Sequence, residues 1–566
     1  MTKTKFILFH FFTVCLILQF GCNNSPNIGN QIAERIKSVE PGSTTFTGDS
    51  YIALRSSGAK QTEIWVSNKN WFKGLSKSIN KVDKKLKSED KNYELVEICL
   101  PIKKGSRIIN HDEIDKLQMH YGVMGIKFEY KDKEMSFCPT QMLAEDINYK
   151  KAFNIFTETN SLHRGIIRSI NFNMTLFDAN QYIYLSGKKG ELRKLFRGKT
   201  PLSDVYITKG NVEKFIDGMG MWLINNIQHD GRLIYEYNPV SGQESDEVSS
   251  IRLIMGTASA FIYSKYKEDQ NIAKRVKLNL DYQLRNYYKE KNDYGYLTST
   301  KGISLGGAAL AGIAILNSPN PDEYRTEEQK LRNFTYMLQQ DNGKFNVYYD
   351  LDSELNQNYF PGETLYYWSV ILQNNKDHEL EKRFMKSFEY YRKWHRNNRN
   401  SAFVPWHTQA YYNMWQLTKN DEFKDFIFEM NDWILTQKVY DDSRPDSIMY
   451  GHASGIGVLL EGMIDAYKLA MGVGDKNRME NYREFILAGL KSGMNLQFKN
   501  EIDAFYIKDK NKTLGGIHNT LNDKSIRVDN IQHNILAAIK IVETFSENDF
   551  KVKNKKPGNN SSGLLF

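Results

Sequence analysis

A chain of 566 residues is longer than one hydrophobic core ordinarily serves, so two domains are the starting expectation. Its composition, 40% hydrophobic and 25% charged, is that of ordinary globular proteins. The net charge of +9 is modest at this length, and the lysines scatter without the spacing of a nucleic-acid motif; this argues against a nucleic-acid partner and leaves room only for a mild preference for acidic polymers.

The chain opens with Lys3 and Lys5, then an almost wholly apolar run from Phe6 to Phe20, then Gly21-Cys22 and the polar turn Asn23-Asn24-Ser25-Pro26. This is the layout of an export signal, and the apolar run is too short for a membrane span of ~20 residues. Gly21-Cys22 resembles a bacterial lipobox, although Gln19-Phe20 depart from the usual leucine and small residue. The resemblance implies cleavage before Cys22, diacylation of its thiol, and a protein lipid-anchored to a membrane of the bacterial cell envelope, on the periplasmic or surface side. Each buried CH₂ of such chains adds ~0.8 kcal/mol. Residues 1–22 are thus the lipoprotein signal peptide, and residues 23–45, rich in Asn, Ser, Pro and Gly, read as a tether.

Residues 46–200 mix two periodicities. Tyr51–Leu54, Glu63–Val66, Leu95–Leu100 and Gly125–Tyr130 read as strands, and 71–87 and 140–157 as amphipathic helices. This is a small α+β domain, which either binds cell-wall material or packs against the larger C-terminal domain. Its cysteines, Cys99 and Cys138, are open to a disulfide or to two buried free thiols. No cysteine follows Cys138, which argues against a Cys-ligated zinc in the larger domain and excludes a lanthionine-cyclase-like site.

From residue 205 to 547 one unit recurs: a charged amphipathic helix, a loop with Asp and Gly, then a less charged helix of small and aromatic residues. The loops are Asp230-Gly231-Arg232, Asp293-Tyr294-Gly295 and Asp341-Asn342-Gly343, with an echo at Leu514-Gly515-Gly516. The less charged helices begin near Ser249, Ser304, Pro361, Pro405, Gly451 and Arg527, and the charged partners lie at 210–228, 269–289, 325–340, 377–397, 420–438 and 475–494. A helix such as Gly306–Ala314, with no charge, must be covered on nearly every side, whereas one with a charged face borders water. Two concentric layers of six hairpins, closed into a ring, satisfy both kinds and leave no uncapped end. Residues 548–566 read as a disordered tail.

The repeated Asp-Gly-aromatic loop, the helix start Pro361-Gly362-Glu363, and the closing segment Gly515-Gly516 with Arg527–His533 resemble the (α/α)6 toroid enzymes. These comprise six-hairpin glycosidases, polysaccharide lyases, glucuronyl C5-epimerases and N-acylglucosamine 2-epimerases. The resemblance covers about residues 205–545. It implies a mainly α fold, an (α/α)6 toroid after the small α+β domain, and a polysaccharide or glycoconjugate partner.

In such a ring the starts of the inner helices converge on one mouth, with their positive dipole ends directed there. The candidate catalytic residues at these starts are Glu363, His407, His452, Asp529 and His533, because carboxyls and imidazoles move protons near neutral pH. Tyr235, Tyr237, Arg252, Tyr359, Trp406 and Arg527 are candidate substrate contacts, aromatic faces for sugar rings and guanidiniums for carboxylates. Glu461, inside an apolar helix, needs a buried partner. Two chemistries remain open. A glycosidase would pair Glu363 with Asp529 or Asp230. A uronate epimerase or lyase, slightly favoured by the His, Tyr and Arg content, would use a histidine, a tyrosine and Arg252 or Arg527. The alternative is a non-catalytic glycan- or protein-binding lipoprotein. No cofactor or metal is expected, and no P-loop, Gly-x-Ser-x-Gly or His-Glu-x-x-His motif is present.

Overall fold

The structure is a computed structural model that describes residues 27–40, 46, 49–67, 70–102, 107–186, 190–437 and 444–551. The signal segment and Cys22 lie outside the described residues, as does the tail from 552. The small domain contains α1 (Ile28–Val39), β1 (Ser50–Ser56), β2 (Ala59–Val66), α2 (Trp71–Ser88), β3 (Leu95–Pro101), β4 (Arg107–Ile109), β5 (Met124–Tyr130), β6 (Lys133–Phe137), α3 (Pro139–Ala144), α4 (Tyr149–Thr159), β7 (Phe172–Leu185) and β8 (Glu191–Leu195). One antiparallel sheet runs β2-β1-β3-β7-β5-β6. The long β7 holds it together: its first half pairs with β4 and β5 and its second with β3 and β8.

Three expectations are corrected, two in this region and one at the far end of the described chain. Residues 28–39, read as tether, form α1, because Ile32, Ala33 and Ile36 share a buried face that packs on α2, and Asn27 caps the start. The single helix expected at 140–157 is two, broken where Asp146 turns left-handed (φ 51°) and Asn148 caps α4. At the other terminus Phe550 is buried edge-on against Phe545, so packed chain continues past residue 547. Cys99 and Cys138 are both buried free thiols, with burial pushing the Cys138 thiol up.

The larger domain comprises α5 (Lys209–Asn226), β9 (Glu236–Asn238), β10 (Gln243–Glu244), α6 (Ser250–Tyr266), α7 (Gln270–Tyr287), β11 (Tyr288–Lys291), β12 (Tyr294–Leu297), α8 (Leu305–Asn317), α9 (Arg325–Met337), α10 (Phe360–Asn374), α11 (His378–Asn397), α12 (Val404–Thr418), α13 (Asp421–Leu435), α14 (Ala453–Val473), α15 (Lys476–Leu496), β13 (Ile526–Arg527) and α16 (Val528–Thr544). The even-numbered helices from α6 to α16 each pack on the next, and α16 packs back on α6. This closes the inner ring, with the odd-numbered helices as its outer layer. The chain is the six-hairpin (α/α)6 toroid expected from the sequence. The two layers follow from composition: α8 carries no charge and is buried from Leu305 to Ile315, whereas α11 buries only the stripe Leu380, Phe384, Ser387, Phe388, Tyr391, His395.

The Asp-Gly loops have a structural cause. Gly231, Gly343 and Gly515 all adopt left-handed backbone (φ 94°, 89° and 85°), and each lies directly against the main chain of the next outer helix. Gly231 abuts Leu278 of α7, Gly343 abuts Lys386 of α11, and Gly515 abuts Gly218 of α5, which joins the last hairpin to the first. The carbonyls of Gly231 and Gly343 accept from Asn279 and Ser387 of those helices, each at 2.7 Å. A side chain at these three positions meets both a disfavoured φ and a backbone atom, so glycine there marks ring assembly; Gly295 differs, lying in the β11–β12 hairpin against the Tyr288 ring.

The small domain docks on the ring. Arg197 is buried in an ion pair with Asp446, and Lys199 donates to the carbonyls of Asn495 (3.1 Å) and Gln497 (3.0 Å) and lies 2.8 Å from His518 Nε2. Of the two roles open to residues 46–200, packing against the ring is one the structure contains.

Candidate active site

The first and last hairpins meet at the N-terminal mouth of the inner ring. Strand β13 pairs with β9, setting Arg527 opposite Glu236, and Val528 N–H donates to the Tyr235 carbonyl at 2.9 Å. Asp529, in the first turn of α16, is held there by two guanidiniums. Arg527 donates bidentately (Nε to Oδ1 2.5 Å, Nη2 to Oδ2 2.8 Å), and Arg252 of α6 reaches Oδ2 at 3.1 Å. Arg252 also donates to the Tyr235 hydroxyl at 2.8 Å.

Glu363, in the first turn of α10 behind Pro361, is only 6% exposed. Burial raises its carboxyl to about pH 8, opposed by the charge of Arg252. Its Oε2 has no hydrogen-bond partner among the described residues and lies against Gly306 of α8. Tyr359, which precedes α10, is 42% exposed, and its hydroxyl is pushed up by burial and by Glu363. His452 caps α14 through Nδ1, accepting from Gly455 N–H at 3.0 Å; burial and Arg527 hold it below the usual histidine range. Arg252, Arg527, Asp529, Tyr235, Tyr359, Glu363 and His452 therefore share one mouth. It offers a buried carboxyl with a raised pKa, a second carboxyl paired with arginine, and two guanidiniums.

Four of the expected residues lie elsewhere. His407 is fully buried on the outward side of α12, stacked on Phe403 (centroids 3.6 Å) with Nδ1 2.7 Å from Tyr411 Oη, and burial lowers its pKa well below normal. It faces the outer layer because Trp406, its neighbour in sequence and ~100° away around the helix, takes the inner position. Tyr237 is 2% exposed, with Lys512 over its ring, and so presents no face to a sugar. Asp230 is an exposed turn residue accepting from Arg232 N–H (2.9 Å), in the loop packed on α7, and is not a partner for Glu363. His533 lies one turn below Asp529, where Nδ1 binds Glu461 Oε1 at 2.8 Å and Trp406 packs edge-on at 6.1 Å. This supplies the partner that Glu461 needed.

Below His533 the lumen holds residues the sequence reading missed. Gln409 donates to Glu461 (3.3 Å) and accepts from Lys540 (2.9 Å), and Lys540 also pairs with Asp465 at 2.7 Å. Their signal was present in the sequence as charges at helical spacing inside otherwise uncharged helices. Gly306 left none, because a lone glycine in a small-residue helix does not identify what it faces. A methyl at Gly306 would overlap Glu363 Oε2 and the Phe360 ring. Gly306→Ala is therefore expected to displace the carboxyl, lowering turnover ~10²-fold while costing ~1–3 kcal/mol of stability. Rate measurement together with thermal melting checks this; an unchanged rate would place the chemistry elsewhere.

No family model matches the chain, and no curated protein does. Among solved structures it is similar to a family 76 glycoside hydrolase from a bovine Bacteroides thetaiotaomicron strain (TM-score 0.43, 9% identity, 79% of this chain and 96% of that one). It is also similar to the α-1,6-mannanase of Salegentibacter sp. (0.42, 11%, 59% and 98%) and to an unsaturated glucuronyl hydrolase specific for heparin (0.44, 12%, 60% and 98%). At these identities and scores the reaction must be argued from the mouth itself.

Proposed function

We propose that the protein is a carbohydrate-active enzyme that cleaves a glycosidic bond of a polysaccharide at the N-terminal mouth of the ring, with Glu363 as proton donor. One observation carries this: a buried carboxyl with an unpartnered oxygen, its pKa raised to about 8 by burial, at the same mouth as Asp529 and the two arginines that clamp it. Glycoside hydrolysis needs two carboxyls whose environments separate their protonation states. Glu363 supplies the proton to the leaving oxygen. Asp529, held in place by its two arginines, is the second carboxylate, opposing the positive charge that develops on the sugar or orienting water. Tyr359 offers a ring face to the sugar, and Arg252 and Arg527 favour acidic residues in the glycan. Hydrolysis is preferred to epimerase or lyase chemistry because the histidines do not gather: His407 is buried behind the mouth, His533 is held by Glu461, and His452 caps a helix.

The clamp on Asp529 favours one other reading, a glycan-binding lipoprotein without turnover, since both of its oxygens are already engaged by arginines. In both readings the protein is anchored at the cell envelope through lipid on Cys22. Proton NMR in D₂O with a panel of neutral and uronic-acid polysaccharides separates them. New reducing-end signals are the expected result. Deuterium at C5 would mean an epimerase, unsaturated-uronate signals a lyase, and saturation transfer without product a binding protein.

A further inference from the structure

The lumen is open at the end opposite the mouth. A cavity of about 250 Å³ there is lined by Lys265, Tyr366, Gln409, Glu461, Lys540 and Glu543, over a floor of Met255, Ile262, Ile313, Leu536 and Ile539. A second, of about 380 Å³, is lined by Tyr366, Val370, Gln373, Tyr412, Asn413, Gln416, Asp465, Lys468 and Lys540. The two share Tyr366 and Lys540 and so adjoin. We infer that this far-end lumen is a second binding site, distinct from the mouth, for a neutral sugar of one or two rings.

The chemistry of the lining selects the ligand. Most of the charges are paired: Asp465 takes Lys540 at 2.7 Å and Lys468 at 3.3 Å, and Glu461 Oε1 lies 2.8 Å from His533 Nδ1. The remaining lining charges, Lys265 and Glu543, are opposite in sign, so the lining carries no strong single-sign excess to draw a charged ligand. The other polar groups are amides and phenols, each able to donate and accept, as sugar hydroxyls require. Gln373 Nε2 donates to Gln416 Oε1 and Gln416 Nε2 to Tyr412 Oη, both at a long 3.3 Å, and Asn413 donates to Ser369 at 3.0 Å. The half-buried ring of Tyr366 stands between the two cavities as an apolar face for sugar C–H groups. Gln373 and Gln416 are exposed at the rim, which gives access from solvent. The larger cavity lies at the lower end of the ~300–1,000 Å³ of small-ligand pockets, which fits a monosaccharide or a disaccharide end. The lining also reaches toward the mouth, since Lys540, Gln409, Glu461 and His533 form one hydrogen-bonded chain.

The test is saturation-transfer NMR on the purified protein with the methyl hexosides of glucose, mannose and galactose. Transfer to at least one is expected. It should persist in Glu363→Gln and Arg252→Met, which alter only the mouth, and be lost in Gln373→Trp, which covers the exposed rim without entering the core. Lys540→Met should weaken it several-fold. No transfer to any hexoside, or transfer that survives Gln373→Trp, overturns the inference. Loss in the mouth variants alone would assign the sugar to the mouth, overturning this site while supporting the proposed activity.

Discussion

Glu363→Gln is expected to lower turnover by ~10²–10⁴-fold, the usual contribution of a positioned proton donor, with little change in KM. The amide keeps the shape of the carboxyl but has no proton to give. Because the native carboxyl titrates at about pH 8, wild-type turnover should hold through neutral pH and fall above 8. The variant's residual rate should lack that limb. The same group sets a sign for stability. Its folded pKa lies above the ordinary carboxyl value, so folding takes up a proton. The associated stability is fully present below pH ~4.5 and is lost as pH rises through about 8. Glu363→Gln should therefore melt higher than wild type at pH 9 and differ least at pH 4. A variant with wild-type turnover would remove Glu363 from the mechanism.

The second large effect concerns ring closure. Gly515→Ala is expected to cost more than ~3 kcal/mol, because a methyl there combines left-handed strain with overlap of the Gly218 carbonyl, which cannot move without shifting α5. Gly343→Ala should behave alike against Lys386, whereas Gly474→Ala, also left-handed (φ 75°) but with open space around it, should cost only the ~1–2 kcal/mol of the backbone conformation. Chemical denaturation of the three variants checks the order. Equal losses would mean that loop contacts contribute nothing to closing the ring.

The sequence was most legible where one signal repeats. Charge alternation placed all twelve ring helices within a few residues, because an uncharged helix such as α8 has only one stable surrounding. Signals that occur once were harder to read. The edges of the long β7 are satisfied by four partners, three of them from distant parts of the chain, and its sequence is not uniformly apolar. The face of α1 is carried by three buried apolar residues set among polar neighbours.

At the mouth the positions of Glu363, Asp529, Arg252 and Arg527 followed from their place at helix starts. What sequence could not supply was helix phase. Trp406 and His407 are adjacent, and only packing decides that the tryptophan turns inward and the histidine outward. Phase also placed Asp529, His533 and Lys540 on one inward stripe of α16, which joins the mouth to the far end of the lumen. The Asp-Gly loops were visible as a repeat, but the contact that Gly231, Gly343 and Gly515 make with the next outer helix required the neighbouring hairpin.

The most direct measurement is the titration of Glu363 itself, by infrared difference spectroscopy of the carboxyl band in wild type and Glu363→Gln between pH 5 and 9. A protonated carboxyl present at pH 7, absent from the variant and disappearing with a midpoint near 8 is the expected result. Finding the group ionised throughout that range would contradict its role as proton donor, and the proposed activity with it.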